Sequence, residues 1–178
     1  MKLTKKLLAM ALAGVMLLTI LTGCSGGKTG DRLVEEYLDA YYHSLDVYKD
    51  KPITHDVPEI ETVADMFETS ETSWLNDDGS WNITSGKDSN DPKYIALKDV
   101  FSKYSSGYTV NLCAFEVDST QSELNQAMRV MIATLSNGLP IHTDHKSDLT
   151  AIQYATRLVT REGKSYRIAV VIYDHTAG

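Results

Sequence analysis

Three groups of residues in this chain carry side chains whose types and spacing could do chemistry. The first is His142-Thr143-Asp144-His145, where two imidazoles and a carboxylate fall within four residues. His142, Asp144 and His145 are ligand types that a divalent metal accepts, although a catalytic zinc needs three such groups in fixed geometry and a structural one four. The competing reading is a polar loop following Pro140. The second is the pair Trp74 and Trp81, which flanks the turn Asn76-Asp77-Asp78-Gly79. Aromatic faces beside Asp77, Asp78 and Asn82 could stack on a glycan and hydrogen-bond its hydroxyls; the alternative is that both tryptophans pin a loop to the core. Asp77-Asp78-Gly79 lacks the alternating ligands of a calcium loop. The third is His43 with Asp46, one helical turn apart and able to act as acid and base. Tyr41, Leu45 and Tyr48 define the buried stripe of that helix, which turns His43 and Asp46 to the opposite side. The chain has no Ser-His-Asp signature, no phosphate loop and no HExxH, and no cofactor is expected.

Cys24 is a different matter, because the chemistry there would be done to the protein. Lys2, Lys5 and Lys6 precede a run without a charge over residues 7–21. That run is shorter than the roughly 18–20 residues a spanning helix requires, so it reads as a signal-peptide core. Leu21-Thr22-Gly23-Cys24 closes it. A small residue directly before Cys, with Leu three positions before it, resembles the bacterial lipobox. The resemblance implies that residues 1–23 are a lipoprotein signal peptide and that Cys24 becomes the N-terminus with diacylglycerol on its sulfur. It also implies an extracytoplasmic location, anchored by lipid to the cell membrane.

Cleavage there would remove three lysines and leave 14 basic against 24 acidic side chains, a formal charge of −10 over 155 residues. Such a surface repels nucleic acid and anionic headgroups, so attachment must come from the lipid itself. The length suits one domain with a substantial core. Only Cys113 would remain as a thiol; set between Leu112 and Ala114, it reads as a small buried hydrophobe. Residues 24–30 are rich in Gly and Ser and predict a flexible tether, with a single domain over 31–178.

Helices come first in that domain. Asp31 is a candidate N-cap for an amphipathic helix of about 17 residues carrying Leu33, Val34, Tyr37, Leu38, Tyr41, Leu45 and Tyr48. Pro58 opens a shorter one bearing Ile60, Val63, Ala64 and Phe67. Residues 69–90 are polar and loop-like. Asp91-Pro92 starts a third helix whose Leu97, Val100, Phe101 and Tyr104 form the buried stripe, stopped by Ser105-Ser106-Gly107. Residues 108–117 predict a strand. Residues 123–136 fit a helix period through Leu124, Ala127, Met128, Met131, Ile132 and Leu135, yet 129–135 also reads as a strand; periodicity favours the helix. Two strands then meet around Arg161-Glu162-Gly163-Lys164, with Gly163 in the left-handed position. In the last of them Tyr166, Ile168, Val170 and Ile172 share one face and Arg167 takes the other.

Together these predict an α+β fold, with N-terminal helices packed on a curved antiparallel sheet that ends in a C-terminal β-hairpin. The segment Leu158-Val159-Thr160-Arg161-Glu162-Gly163-Lys164-Ser165-Tyr166-Arg167-Ile168, with the leading helix bearing Tyr37, Tyr41 and Tyr42, resembles NTF2-like domains. That resemblance implies a cone-shaped sheet around a ligand pocket, with residues 123–136 as a central strand and Tyr166 where the family often has Trp. The function expected is a lipid-anchored extracytoplasmic binding or interaction domain without catalysis, its partner a cell-wall glycan or a protein. The alternative is a small-molecule enzyme with an acid/base pair in such a pocket.

Overall fold

The computed structural model describes residues 30–104, 106–136, 138–143 and 148–176. The signal segment 1–23, Cys24, Asp144 and His145 lie outside the described residues, as does the tether except for Gly30. No helix among the described residues is long and apolar enough to cross a membrane.

The fold is α+β. Helices α1 (Gly30–Ser44), α2 (Glu59–Thr69) and α3 (Pro92–Val100) lead, with the two-residue strand β1 (Ile53–Thr54) between the first pair. Strand β2 (Tyr108–Val117), helix α4 (Glu123–Ser136), and strands β3 (Leu139–His142), β4 (Ala151–Arg161) and β5 (Lys164–Asp174) follow. Asp91 Oδ1 accepts the Lys93 amide at 2.9 Å with Pro92 directly behind it, so the third helix starts as its cap chemistry dictates. The first helix is shorter than its apolar spacing suggested. It starts at Gly30, so Asp31 lies inside its first turn instead of capping it, and the Asp31 carboxylate engages Leu158 and Arg167. The helix stops at Ser44, and Leu45 and Tyr48 continue the apolar face from a turn.

The sheet has the order β1-β4-β5-β2-β3. It is mixed and open rather than wholly antiparallel, because β1 runs parallel to β4. The β4–β5 hairpin turns through Glu162 and Gly163, both at positive φ (52° and 77°), the twist a two-residue hairpin needs. β5 is central and its alternation sorts two cores. Ile168, Val170 and Ile172 pack with α2, α3 and the loop bearing Trp74, while Ala169, Val171 and Tyr173 pack with α1 and α4. Helices therefore cover both faces of the sheet, and residues 123–136 form a helix where the NTF2-like pattern has a central strand.

One α4 detail departs from its periodic reading. Gln126, Ala127, Val130 and Thr134 face inward, and Met128, Ile132 and Leu135 are 48%, 54% and 64% exposed. Gln126 on the inward face meets Arg167, which is 1% exposed at the heart of the second core. Its guanidinium donates to Gln126 Oε1 at 2.8 and 3.0 Å, and leaving it unpaired there would be costly. Pairing with Arg167 holds Gln126 of α4 inward, Thr134 satisfies its hydroxyl on the Val130 and Met131 carbonyls, and the apolar row lies on the helix's outer side.

Candidate functional site

The two long flanks of the sheet are finished differently. Beyond β1, the outward amides of β4 are each taken by a carboxylate. Glu35 accepts from Thr156 (2.9 Å), Asp31 from Leu158 (3.0 Å) and Glu68 from Thr160 (3.0 Å). Such capping blunts an edge against pairing with another chain. On the other flank β3 pairs with β2 only as far as Leu112↔Leu139. Past that point residues 113–117 have β5 on one side and, among the described residues, no strand on the other.

A cavity of about 200 Å³ opens beside this bare stretch. Cys113, Ala114 and Phe115 form its floor, Gly79 and Trp81 one wall, and Arg129, Ile132 and Ala133 of α4 the other. It lies where the two helical layers part at the edge of the sheet. Arg129 lies over the Phe115 ring, 4.1 Å from its centroid, and its Nη1 donates to the Glu116 carbonyl (2.9 Å) and Gln121 Oε1 (3.1 Å). Stacking and hydrogen bonds together fix this guanidinium at the rim. Cys113 contributes surface rather than reactivity, since burial pushes its thiol up to about 12.

The residues singled out from the sequence are dispersed. Trp81 is half-buried in the groove wall, with Leu75 bridged to it across a small hairpin. Trp74 is 1% exposed and packs edge-on against Phe67 at 5.4 Å, so its face is not offered to a sugar. This corrects the paired-tryptophan expectation: the Trp74 side chain itself packs inward against Phe67 of α2, while residues 76–80 of the turn stay exposed. Asp78 is occupied locally, its Oδ1 accepting the Ser80 amide (2.9 Å) and hydroxyl (2.6 Å), and these bonds hold its carboxyl below the usual range. Asp77 is exposed in the same turn. His142 ends β3, paired opposite Val110 rather than lying in a polar loop after Pro140, with Nε2 buried and without a hydrogen-bond partner, and burial lowers its proton affinity. No cluster of three or more His, Cys, Asp or Glu is arranged to hold a metal among the described residues. His43 and Asp46 both face solvent, each beside Lys49.

A constellation the sequence did not reveal lies on α1. His55 Nε2 is 3.1 Å from Asp39 Oδ1 and its Nδ1 is 3.7 Å from Glu35 Oε2. The Tyr154 hydroxyl donates to Asp39 Oδ1 at 2.5 Å, and its ring packs against His55 at 4.9 Å. Glu35 and Asp39 are one helical turn apart, but His55 joins them only because β1 lies along β4. Nε2 lies within hydrogen-bond reach of Asp39 while Nδ1 faces Glu35 at a longer, ion-pair distance, so the imidazole ties the segment after β1 to α1. Burial raises the Glu35 carboxyl above its ordinary value of 4.5, outweighing the Thr156 amide and His55. The folded state thus binds this proton more tightly than the unfolded chain, and stability linked to it is full below 4.5 and lost as pH rises through the folded value. Urea midpoints for Glu35→Gln and the parent should accordingly shift in the variant's favour between pH 4 and pH 7. A constant difference across that range would contradict this assignment.

Arg129, Ile132 and Ala133 were not legible as a site, because in sequence they belong to an apolar helix period. The one available signal was that α4 carries apolar residues on more than a single stripe. The chain matches no protein-family model, no curated protein and no solved structure.

Proposed function

We propose that this protein is a lipid-anchored extracytoplasmic interaction domain, held to the cell membrane through Cys24, which recognises a partner with the groove at the bare edge of β2. The observation that carries this reading is the contrast between the two edges. Three carboxylates close β4, while β2 is left beside a cavity and the exposed apolar row Met128, Ile132 and Leu135. An apolar face bordering an unpaired strand is how β-augmenting modules capture chains. A non-catalytic role is supported by the solvent-facing positions of His43 and Asp46, the acid and base candidates of the leading helix. A protein partner fits better than a cell-wall glycan, since Trp74 is withdrawn into the core and Trp81 alone could stack on a sugar. The acidic surface speaks against nucleic acid.

Two measurements test the proposal. Cys24→Ser should abolish incorporation of a tagged fatty acid and leave the precursor uncleaved by lipoprotein signal peptidase; equal labelling of the variant would remove the anchor from the argument. A photo-crosslinking residue at position 132 should give defined protein adducts in cells, whereas one at Leu158, exposed near the closed β4 edge, should not. Identical adduct patterns from the two positions would refute the groove as the recognition surface.

A further inference from the structure

We propose that the groove receives the C-terminal residue of an extended peptide, its free carboxylate paired with Arg129 and its backbone lengthening the sheet along β2. This rests on the reading of the domain as an interaction module and names its ligand class.

Four observations converge on a chain end. The Glu116 carbonyl is reached by Arg129 from the α4 side, so Glu116 points its backbone groups toward the bare flank. Strand alternation makes Ala114 do the same, directly at the cavity floor. The slot is also short. β3 ends at one side of it, pairing Leu112 with Leu139, and Arg129 closes the other by holding the Glu116 carbonyl. A peptide entering across the open flank has room to pair only its last residues beside Ala114, with β3 at one end and Arg129 at the other leaving no path to continue. Third, about 200 Å³ is below the roughly 300–1,000 Å³ of pockets that hold drug-sized ligands. Walls of Trp81, Ile132 and Ala133 suit one apolar side chain.

The fourth observation is charge. Arg129 is the one charged residue among those lining the cavity. Its Nη1 makes both of its hydrogen bonds, and no bond from Nε or Nη2 is present among the described residues. A guanidinium clamped on an aromatic ring, with donors to spare at an apolar cavity, complements a carboxylate. An apolar side chain, a carboxylate and an adjoining backbone amide meet at the C-terminal residue of a peptide. An acidic chain would otherwise repel an anion, so local recognition has to come from this one cation.

The test uses the full chain in detergent micelles and a displayed library of pentapeptides with free C-termini. Selected sequences should end in an aliphatic or aromatic residue. Amidating the same peptides should weaken binding at least tenfold, read by calorimetry and by the emission of Trp81 against the buried Trp74. Arg129→Gln should mimic amidation, Arg129→Lys should restore part of the affinity, and Ala114→Pro, which removes the outward amide at a tolerated edge position, should weaken every peptide. The acid–amide comparison on the parent chain needs no variant to fold. Equal affinity for acid and amide, or no enrichment over the Arg129→Gln chain, would overturn the proposal. Binding of octanoate that survives Ala114→Pro, with no peptide selected, would overturn it in favour of a small amphiphile. Crosslinks from position 132 that persist when the peptides fail would leave the interaction module standing with another ligand class.

Discussion

Replacing Asp31 by alanine is expected to destabilise the fold by roughly 3–5 kcal/mol, the usual cost of leaving one partner of a buried ion pair alone. Arg167 is 1% exposed, and its Nη1 donates to Asp31 Oδ1. The same carboxylate accepts the Leu158 amide at 3.0 Å and lies 3.6 Å from Arg157 Nη1. Gln126 would still hold the other side of the guanidinium, which places the expected loss toward the lower end of the range. A double-mutant cycle sharpens the test. With Arg167 replaced by Met, the buried charge is gone, and Asp31→Ala should then cost far less. Equal losses in the two backgrounds, from urea unfolding at neutral pH, would mean that Asp31 acts through the β4 edge alone. Under the proposed lipid anchor the result matters for function, because Asp31 lies seven residues after Cys24. The ion pair would then bolt the membrane-proximal end of the domain to its central strand.

Phe101→Ala is expected to cost about 3–5 kcal/mol. Phe101 follows α3 directly, is 0% exposed, and its ring lies 6.3 Å from that of Tyr104. It packs in the first core with Leu97, Leu112 and Ile168, where rigid strands on one side and α2 on the other limit collapse into the vacated space. Chemical denaturation giving a loss under about 1 kcal/mol would place the residue against water rather than in the core. The two substitutions probe opposite faces of the sheet, share no contacts, and their effects should add.

Local chemistry made much of this architecture readable. Asp91-Pro92 marked a helix start because the cap needs no distant residue, and Glu162-Gly163 marked a hairpin because the turn itself demands positive φ. The alternation in β5 separated Ile168, Val170 and Ile172 from Arg167, since a strand buried on both faces still sends successive side chains opposite ways. The helix period of residues 123–136 prevailed over their strand-like composition. What the period could not state was which stripe turns inward. The inward stripe includes Gln126, which pairs with Arg167, 41 residues away in sequence and 2.8 Å away in the fold. Between Asp31 and Gln126 the buried guanidinium is fully paired, which favours the face that carries Gln126 while Met128, Ile132 and Leu135 stay partly in water.

The groove was hidden for a related reason. Its parts come from a turn at Gly79 and Trp81, from β2 and from α4, and no spacing along the chain links them. It exists because β3 begins only at Leu139, opposite Leu112, while β2 runs on to Val117, a mismatch of strand lengths that only pairing reveals. β1 and β3 escaped notice too, since two and four residues leave little alternation to read, and with β1 went the contact of His55 with Glu35 and Asp39. The sequence by itself determined the leading helices, the Asp91 cap, the closing hairpin and the lipobox-like segment that carries the proposed anchor, all of which depend on neighbours a few residues away. Only the tertiary structure decided the mixed sheet, the inward face of α4 and the open edge of β2, because each follows from burying groups that lie far apart along the chain.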